Sequence, residues 1–151
     1  QQAHGDKFET LLLYSNEGEK IHFHLYHTLL TTQLHPLLEY LTYHDVGAWE
    51  TIYRFRHGRS LASRLQARWM RIVIINSLQQ PFESISQARE MAKTCYETLE
   101  MTLSKQSYLI FQEKPCLVDA MLWAHLAEAL GNVHLVLMLA DFPNLLKFFE
   151  T

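Results

Sequence analysis

The sequence lacks several features that fold classes other than helical bundles need. Five glycines and four prolines among 151 residues are too few turn-forming residues for an all-β sandwich of many short strands. Two cysteines form no disulfide framework, which favours a reducing compartment over secretion. Residues 1–6 are polar and do not resemble a signal peptide. No uncharged apolar run reaches the about 18 residues that cross a membrane, so we expect a soluble domain.

The residues that are present have a globular balance, with 48% hydrophobic and 19% charged. That balance excludes a disordered tail. A chain of this length defaults to one domain and buries roughly 70% of its unfolded surface. Leucines recur at three- and four-residue steps from Leu30 to Leu41, which predicts a helix over residues 23–42 that Pro36 should kink or split.

Further helices are predicted over residues 60–79, from Ser84, and over 116–130, 133–140 and from Pro143 onward. Ser84-Ile-Ser-Gln87 has the pattern of a capping box. The helix at 60–79 is apolar on two sides, which predicts a place in the middle of a bundle. The helix at 116–130 is apolar nearly all round, which predicts the core of the domain.

Residues 8–23 leave two alternatives open. The apolar stretches on either side of Ser15-Asn-Glu-Gly18 are compatible with a β-hairpin that turns at the glycine. They are equally compatible with the first turns of the helix that follows.

Charge is concentrated in one segment. Six arginines and no acidic residue lie between residues 51 and 80. The rest of the chain has the other seven basic residues and all 16 acidic residues, so its net charge is −9. Arg64, Arg68 and Arg71 share one helix face, and we name these three the arginine ridge. The ridge is extended across the preceding loop by Arg54, Arg56 and Arg59.

The arginine ridge is either a solvated basic face or a docking surface. A solvated face would be balanced by acidic residues of neighbouring helices. A docking surface would bind an acidic protein partner or lipid head groups, and these six arginines are the candidate partner-binding residues. Nucleic acid is not a predicted partner, because the sequence pI is about 6.3 and no nucleic-acid-binding motif is present.

No metal, cofactor or catalytic site is predicted. His22, His24 and His27, with His4 and His35 nearby in the sequence, suggest a metal site. The first three do not converge either as a helix or as a strand, whereas zinc needs three or four convergent ligands. There is no glycine-rich phosphate loop and no nucleophile elbow. Cys95 lies on the apolar stripe of its helix, where a thiol acts as a small hydrophobic group.

From residue 95 to residue 150 the sequence resembles the C-terminal helical domain of the glutathione-transferase fold. In that fold an amphipathic helix leads through an apolar connector to a buried helix that opens with Ser or Thr, two residues and Asp. Asp119 keeps the acid of this motif, and Cys116 replaces the hydroxyl. Asp119 is therefore expected to cap the start of its own helix as a structural residue. The resemblance implies an all-α, glutathione-transferase C-terminal-like helical bundle.

Within this superfamily the sequence is most similar to metaxins and related receptor subunits of the mitochondrial sorting and assembly machinery. The matching residues and segments are Val118-Asp119-Ala120, His125 and Pro143-Asn144-Leu145-Leu146. The resemblance implies a helical domain over residues 23–151. Residues 1–22 would be an N-terminal segment, with the hairpin alternative as a short remnant of the thioredoxin-like half that normally precedes this domain.

The metaxin resemblance implies a non-enzymatic subunit of the outer-membrane machinery that sorts, assembles and imports β-barrel proteins. Such a subunit acts by protein–protein contacts on the cytosolic face of the mitochondrial outer membrane. It is peripheral there, or anchored by segments outside this chain. The implied partners are a β-barrel subunit and a second metaxin-like subunit, with contact to the membrane surface as an additional feature.

Two alternatives carry different functions. The first is a fragment of a glutathione-transferase enzyme, and the second is a glutathione-transferase-like docking module of a translation complex. In transferases the thiol-activating group and the glutathione contacts come mostly from the thioredoxin-like half. The sequence does not show that half, so we expect no independent transferase activity.

Overall fold

The computed structural model describes residues 17–44, 49, 60–77 and 82–150, and every regular element among them is helical. The prediction of an all-α bundle is confirmed. The α-helices are α1 (Glu17–Thr28), α2 (His35–His44), α3 (Leu61–Ser77), α4 (Ile85–Leu103), α5 (Leu117–Leu130), α6 (Val133–Leu139) and α7 (Pro143–Glu150). A π-helical segment, Leu29–Leu34, joins α1 to α2. None of the described helices is long and apolar enough to cross a bilayer.

Helix α1 decides between the two alternatives for the N-terminal part. Residues 17–23 are helical, so the second arm of the hairpin does not form, while residues 8–16 lie outside the described part of the chain. The helix begins at Glu17, which is earlier than the predicted residue 23. The predicted domain boundary between residues 22 and 23 lies within this helix.

Pro36 changes the winding of the helix without separating α1 from α2. The amide of His35 donates to the carbonyl of Leu30, five residues earlier, which is the π pattern. The hydroxyls of Thr31 and Thr32 donate to the carbonyls of His27 and Thr28, at 2.7 and 2.8 Å. Those two carbonyls therefore accept from side chains as well as from the backbone, and Pro36 has no backbone N–H to donate. Both effects weaken the i to i−4 hydrogen bonds of an α-helix over this stretch.

Helices α4 and α5 fill the centre of the bundle. Helix α4 packs against α2 and α7, and α5 packs against α6, α7 and the π-helical segment. The sequence predicts an apolar stripe on α4 from Ile85 to Leu103. It is buried at Ala88, Ala92, Cys95, Leu99 and Leu103, whereas Ile85 in the first turn is exposed. The burial of Leu122 and Leu126 places α5 in the core, as its all-round hydrophobicity predicts.

Helix α3 lies at the periphery, so its predicted place in the middle of the bundle is wrong. Leu61, Leu65 and Trp69 are 73%, 60% and 63% exposed. The main neighbour of α3 among the described helices is α2. Helix α2 packs mainly against α4 and the π-helical segment, and Ala67 is the one buried residue of α3 among those that the structure describes. Hydrophobic periodicity identifies an apolar face but does not state which surface will cover it.

Candidate functional site

Among the described residues, the largest group of exposed apolar side chains lies along α3. Leu61, Leu65, Trp69, Ile72 and Val73 recur at helical spacing, and each is between 45% and 73% exposed. We name these five residues the α3 apolar face. Single exposed apolar residues are common on protein surfaces, but a row of them including a tryptophan is typical of an interaction site.

Aromatic contacts on the opposite side of α3 hold the helix in place. The indole nitrogen of Trp49 donates to the carbonyl oxygen of Ala67 at 2.9 Å. The rings of Tyr43 and Trp49 lie with centroids 4.9 Å apart. Trp49 is buried, so it serves as an internal anchor. The inner side of α3 is therefore fixed to the domain, and its apolar face points away from it.

The arginine ridge is divided by the structure. Arg71 donates from Nε to the carbonyl of Tyr43 at 2.6 Å and from Nη2 to the carbonyl of His44 at 3.0 Å. These carbonyls are at the end of α2, where cations and donors stabilise a helix. Arg71 thus joins α3 to α2. Arg64 and Arg68 are exposed on α3 beside its apolar face. The predicted extension of the ridge lies outside the described residues, at Arg54, Arg56 and Arg59.

Asp119 occupies the start of α5 and is 2% exposed. Its Oδ2 accepts from the amide of Cys116 at 2.8 Å and from the Cys116 thiol at 2.9 Å. Its Oδ1 accepts from the amide of Leu109 at 2.7 Å. One carboxylate thereby caps α5 and holds the segment around Leu109 that precedes it. This role is structural, because both oxygens are directed at the chain itself.

Both cysteines are in surroundings that keep the thiol protonated. Burial, followed by the hydrogen bond to Asp119, raises the pKa of Cys116 to about 12. Burial raises the pKa of Cys95 as well. The thiolate is the reactive form of cysteine, so neither residue offers a nucleophile at neutral pH.

The histidines singled out in the sequence do not meet on α1. His22 stacks on Tyr26 with ring centroids 6.3 Å apart, and His27 stacks on Phe23 at 5.7 Å. His35, which is near them in the sequence, does meet two other residues: one nitrogen each of His35 and His125 and one oxygen of Glu128 lie within 4.8 Å of one another. His35 opens α2 and the other two are on α5, so only the i, i+3 spacing of His125 and Glu128 is visible in the sequence.

Comparison with known proteins agrees with this architecture. A family model described as the C-terminal domain of glutathione S-transferase matches residues 92–151. The chain contains a glutathione-transferase-like helical domain. The matched region begins within α4 and runs through α5, α6 and α7, and it includes the Asp119 cap. The chain has no significant match among curated proteins or solved structures.

Proposed function

We propose that this protein is a non-enzymatic subunit of the mitochondrial outer-membrane machinery that sorts, assembles and imports β-barrel proteins. It works by protein–protein contacts on the cytosolic face, with a β-barrel subunit and a second metaxin-like subunit as partners. The resemblance of the residues around Asp119, His125 and Pro143 to metaxins supports the choice of this machinery. The exposure of the α3 apolar face is the observation that carries the contact role.

The α3 apolar face has enough surface to contribute measurably to binding. Fully burying one large apolar side chain yields about 1.5–3 kcal/mol. Since the five side chains keep about half or more of their surface exposed, covering them would contribute on the order of 5 kcal/mol. That gain offsets part of the loss of translational and rotational freedom on association. A rigidly held helix also loses little further entropy on binding.

The chemistry of the partner follows from what surrounds this face. Arg64 and Arg68 lie on the same helix and are exposed. A complementary partner surface has an apolar groove with acidic residues at its rim. Charge attraction of this kind accelerates encounter and selects partners more than it adds affinity.

A non-enzymatic role is supported by the state of the candidate nucleophiles. The thiols of Cys95 and Cys116 are held in their protonated form at neutral pH. Both oxygens of Asp119 accept backbone hydrogen bonds, one from Cys116 at the helix start and one from Leu109 in the segment before it.

The test is affinity purification from mitochondria in mild detergent, followed by mass spectrometry. We expect the wild-type chain to recover a β-barrel assembly subunit and a metaxin-like subunit. A variant carrying Leu65→Ser and Trp69→Ser should lose both partners, because it removes the centre of the α3 apolar face. The matched control is Leu137→Ser with Met101→Ser, since these side chains are 71% and 63% exposed on other helices. The control should retain the partners.

Two outcomes contradict the proposal. The first is recovery of translation factors in place of outer-membrane subunits. The second is turnover of glutathione with a standard electrophile above the buffer rate that a point substitution in this chain abolishes. Circular dichroism of each variant confirms that loss of partners is not loss of fold.

A further inference from the structure

Three side chains from two distant parts of the chain form a cluster with the chemistry of a metal site. We propose that His35, His125 and Glu128 bind a zinc ion between α2 and α5. Their donor atoms, two imidazole nitrogens and one carboxylate oxygen, all lie within 4.8 Å of one another. The proposal is independent of the protein's role in an assembly complex.

The surroundings of His35 fit a metal ligand. Its Nε2 lies 3.7 Å from Oε1 of Glu39, which is one turn further along α2. Its Nδ1 is buried and has no hydrogen-bond partner among the described residues. Metal-bound histidines commonly use one nitrogen for the metal and direct the other at a carboxylate. We assign the metal to Nδ1, where it would satisfy the buried atom. Glu39 would then close from 3.7 Å to hydrogen-bond distance of Nε2 to take the supporting position.

The distances require only small side-chain movements. Zinc binds histidine nitrogen at about 2.0–2.1 Å in a tetrahedral arrangement, so two ligand atoms lie roughly 3.3 Å apart. Closing from at most 4.8 Å therefore takes a displacement of about 1.5 Å between ligand atoms, which rotations between side-chain rotamers can supply. The rings of His35 and His125 already lie with centroids 5.4 Å apart. Glu128 is exposed at the edge of the cluster, with one carboxylate oxygen already within 4.8 Å of the two imidazole nitrogens.

The donor set selects the class of metal. Two imidazoles and one carboxylate suit zinc, whereas calcium and magnesium prefer a shell of oxygen ligands. Three protein ligands leave a fourth position for water, which is the arrangement of open zinc sites. Since the ligands come from α2 and α5, bound zinc would also link these two helices. Zinc should then raise the melting temperature, because it binds the folded chain and not the separated ligands.

The experiment measures zinc binding by the full chain, freed of any affinity tag, in competition with a chromogenic chelator. We expect one zinc ion per chain and a higher melting temperature with zinc. His125→Ala should weaken binding by more than about 100-fold, and Glu39→Gln by about 10–100-fold, as for supporting residues of other sites. The control variants are His24→Ala and Glu97→Gln, which remove an exposed histidine and an exposed carboxylate elsewhere. Neither should change the affinity.

Cobalt substitution distinguishes this site from one built on cysteine. The cobalt complex should show visible ligand-field bands and no sulfur-to-metal charge-transfer band. If His125→Ala does not fold, Glu128→Gln decides, because Glu128 is exposed and glutamine keeps the size of the side chain while it removes the charge. The proposal is overturned if no zinc binds at one equivalent, if Glu128→Gln and His125→Ala bind as tightly as wild type, or if His24→Ala weakens binding equally.

Discussion

Replacing Asp119 by alanine should be among the most damaging single changes in this protein. The substitution leaves the amides of Leu109 and Cys116 without their acceptor, and both amides now bond the carboxylate at 2.7–2.8 Å. Leaving one buried donor unsatisfied costs about 1–3 kcal/mol. Two such donors give an expected loss of about 2–6 kcal/mol, a large share of the 5–15 kcal/mol that stabilises a typical domain.

The loss is measured by urea unfolding, followed by far-ultraviolet circular dichroism. Glu90→Ala serves as the matched control, because Glu90 is an exposed acid on α4 and surface changes stay within about 0.5 kcal/mol. Cys116→Ser is the companion variant. Its hydroxyl is a better capping group than a thiol, so it should hold or raise stability by up to about 1 kcal/mol. A loss below about 1 kcal/mol in Asp119→Ala would refute the reasoning, since water would then be satisfying both amides.

Three further outcomes are expected. Leu126→Ala should cost about 2–5 kcal/mol in urea unfolding, because Leu126 is fully buried on α5, and a loss under about 1 kcal/mol would place α5 outside the core. Glu100→Ala should cost about 1–3 kcal/mol, because Glu100 accepts three hydrogen bonds at the start of α7, from the Asn144 amide and side chain and the Leu145 amide. An equal loss in Glu97→Ala would show that only surface charge matters. Burial, then the charge of Arg71, lowers the pKa of His44. Because the pKa of His44 is lower in the folded chain than in the unfolded chain, protonation favours unfolding. The stability that is present above the unfolded-state pKa, near 6.5, is therefore lost as the pH falls toward the folded-state pKa. The melting temperature should decline less between about pH 7 and pH 5 in His44→Gln than in wild type, and an identical decline would exclude His44 as the cause.

The sequence predicted local features whose causes lie within a few residues. The Ser84 cap is one: the Ser84 hydroxyl accepts from the Gln87 amide at 3.1 Å. The Gln87 side chain accepts from Glu83, one residue before the position that the motif predicts. The burial of the α4 stripe is another, because its 3.6-residue period leaves one side free of charge.

Features that depend on which surfaces meet were not predictable in the same way. The apolar periodicity of α3 is correct, but its exposure follows from its place beside α2, outside the core that α4 and α5 fill. The role of Glu100 depends on the start of α7, which lies more than forty residues later in the chain. Arg71 has the spacing of a surface ridge but bonds the end of α2.

By itself the sequence determined the helical class, the positions of most helices and the likeness of the C-terminal part to a glutathione-transferase domain. These depend on periodicity, capping residues and a local motif, all of which act over one or two helical turns. Only the tertiary structure decided that α3 presents its apolar face outward and that His35 lies beside His125 and Glu128. Contacts between residues ninety positions apart are set by how whole helix faces pack, and a single helix's own sequence does not specify the surface that it will meet.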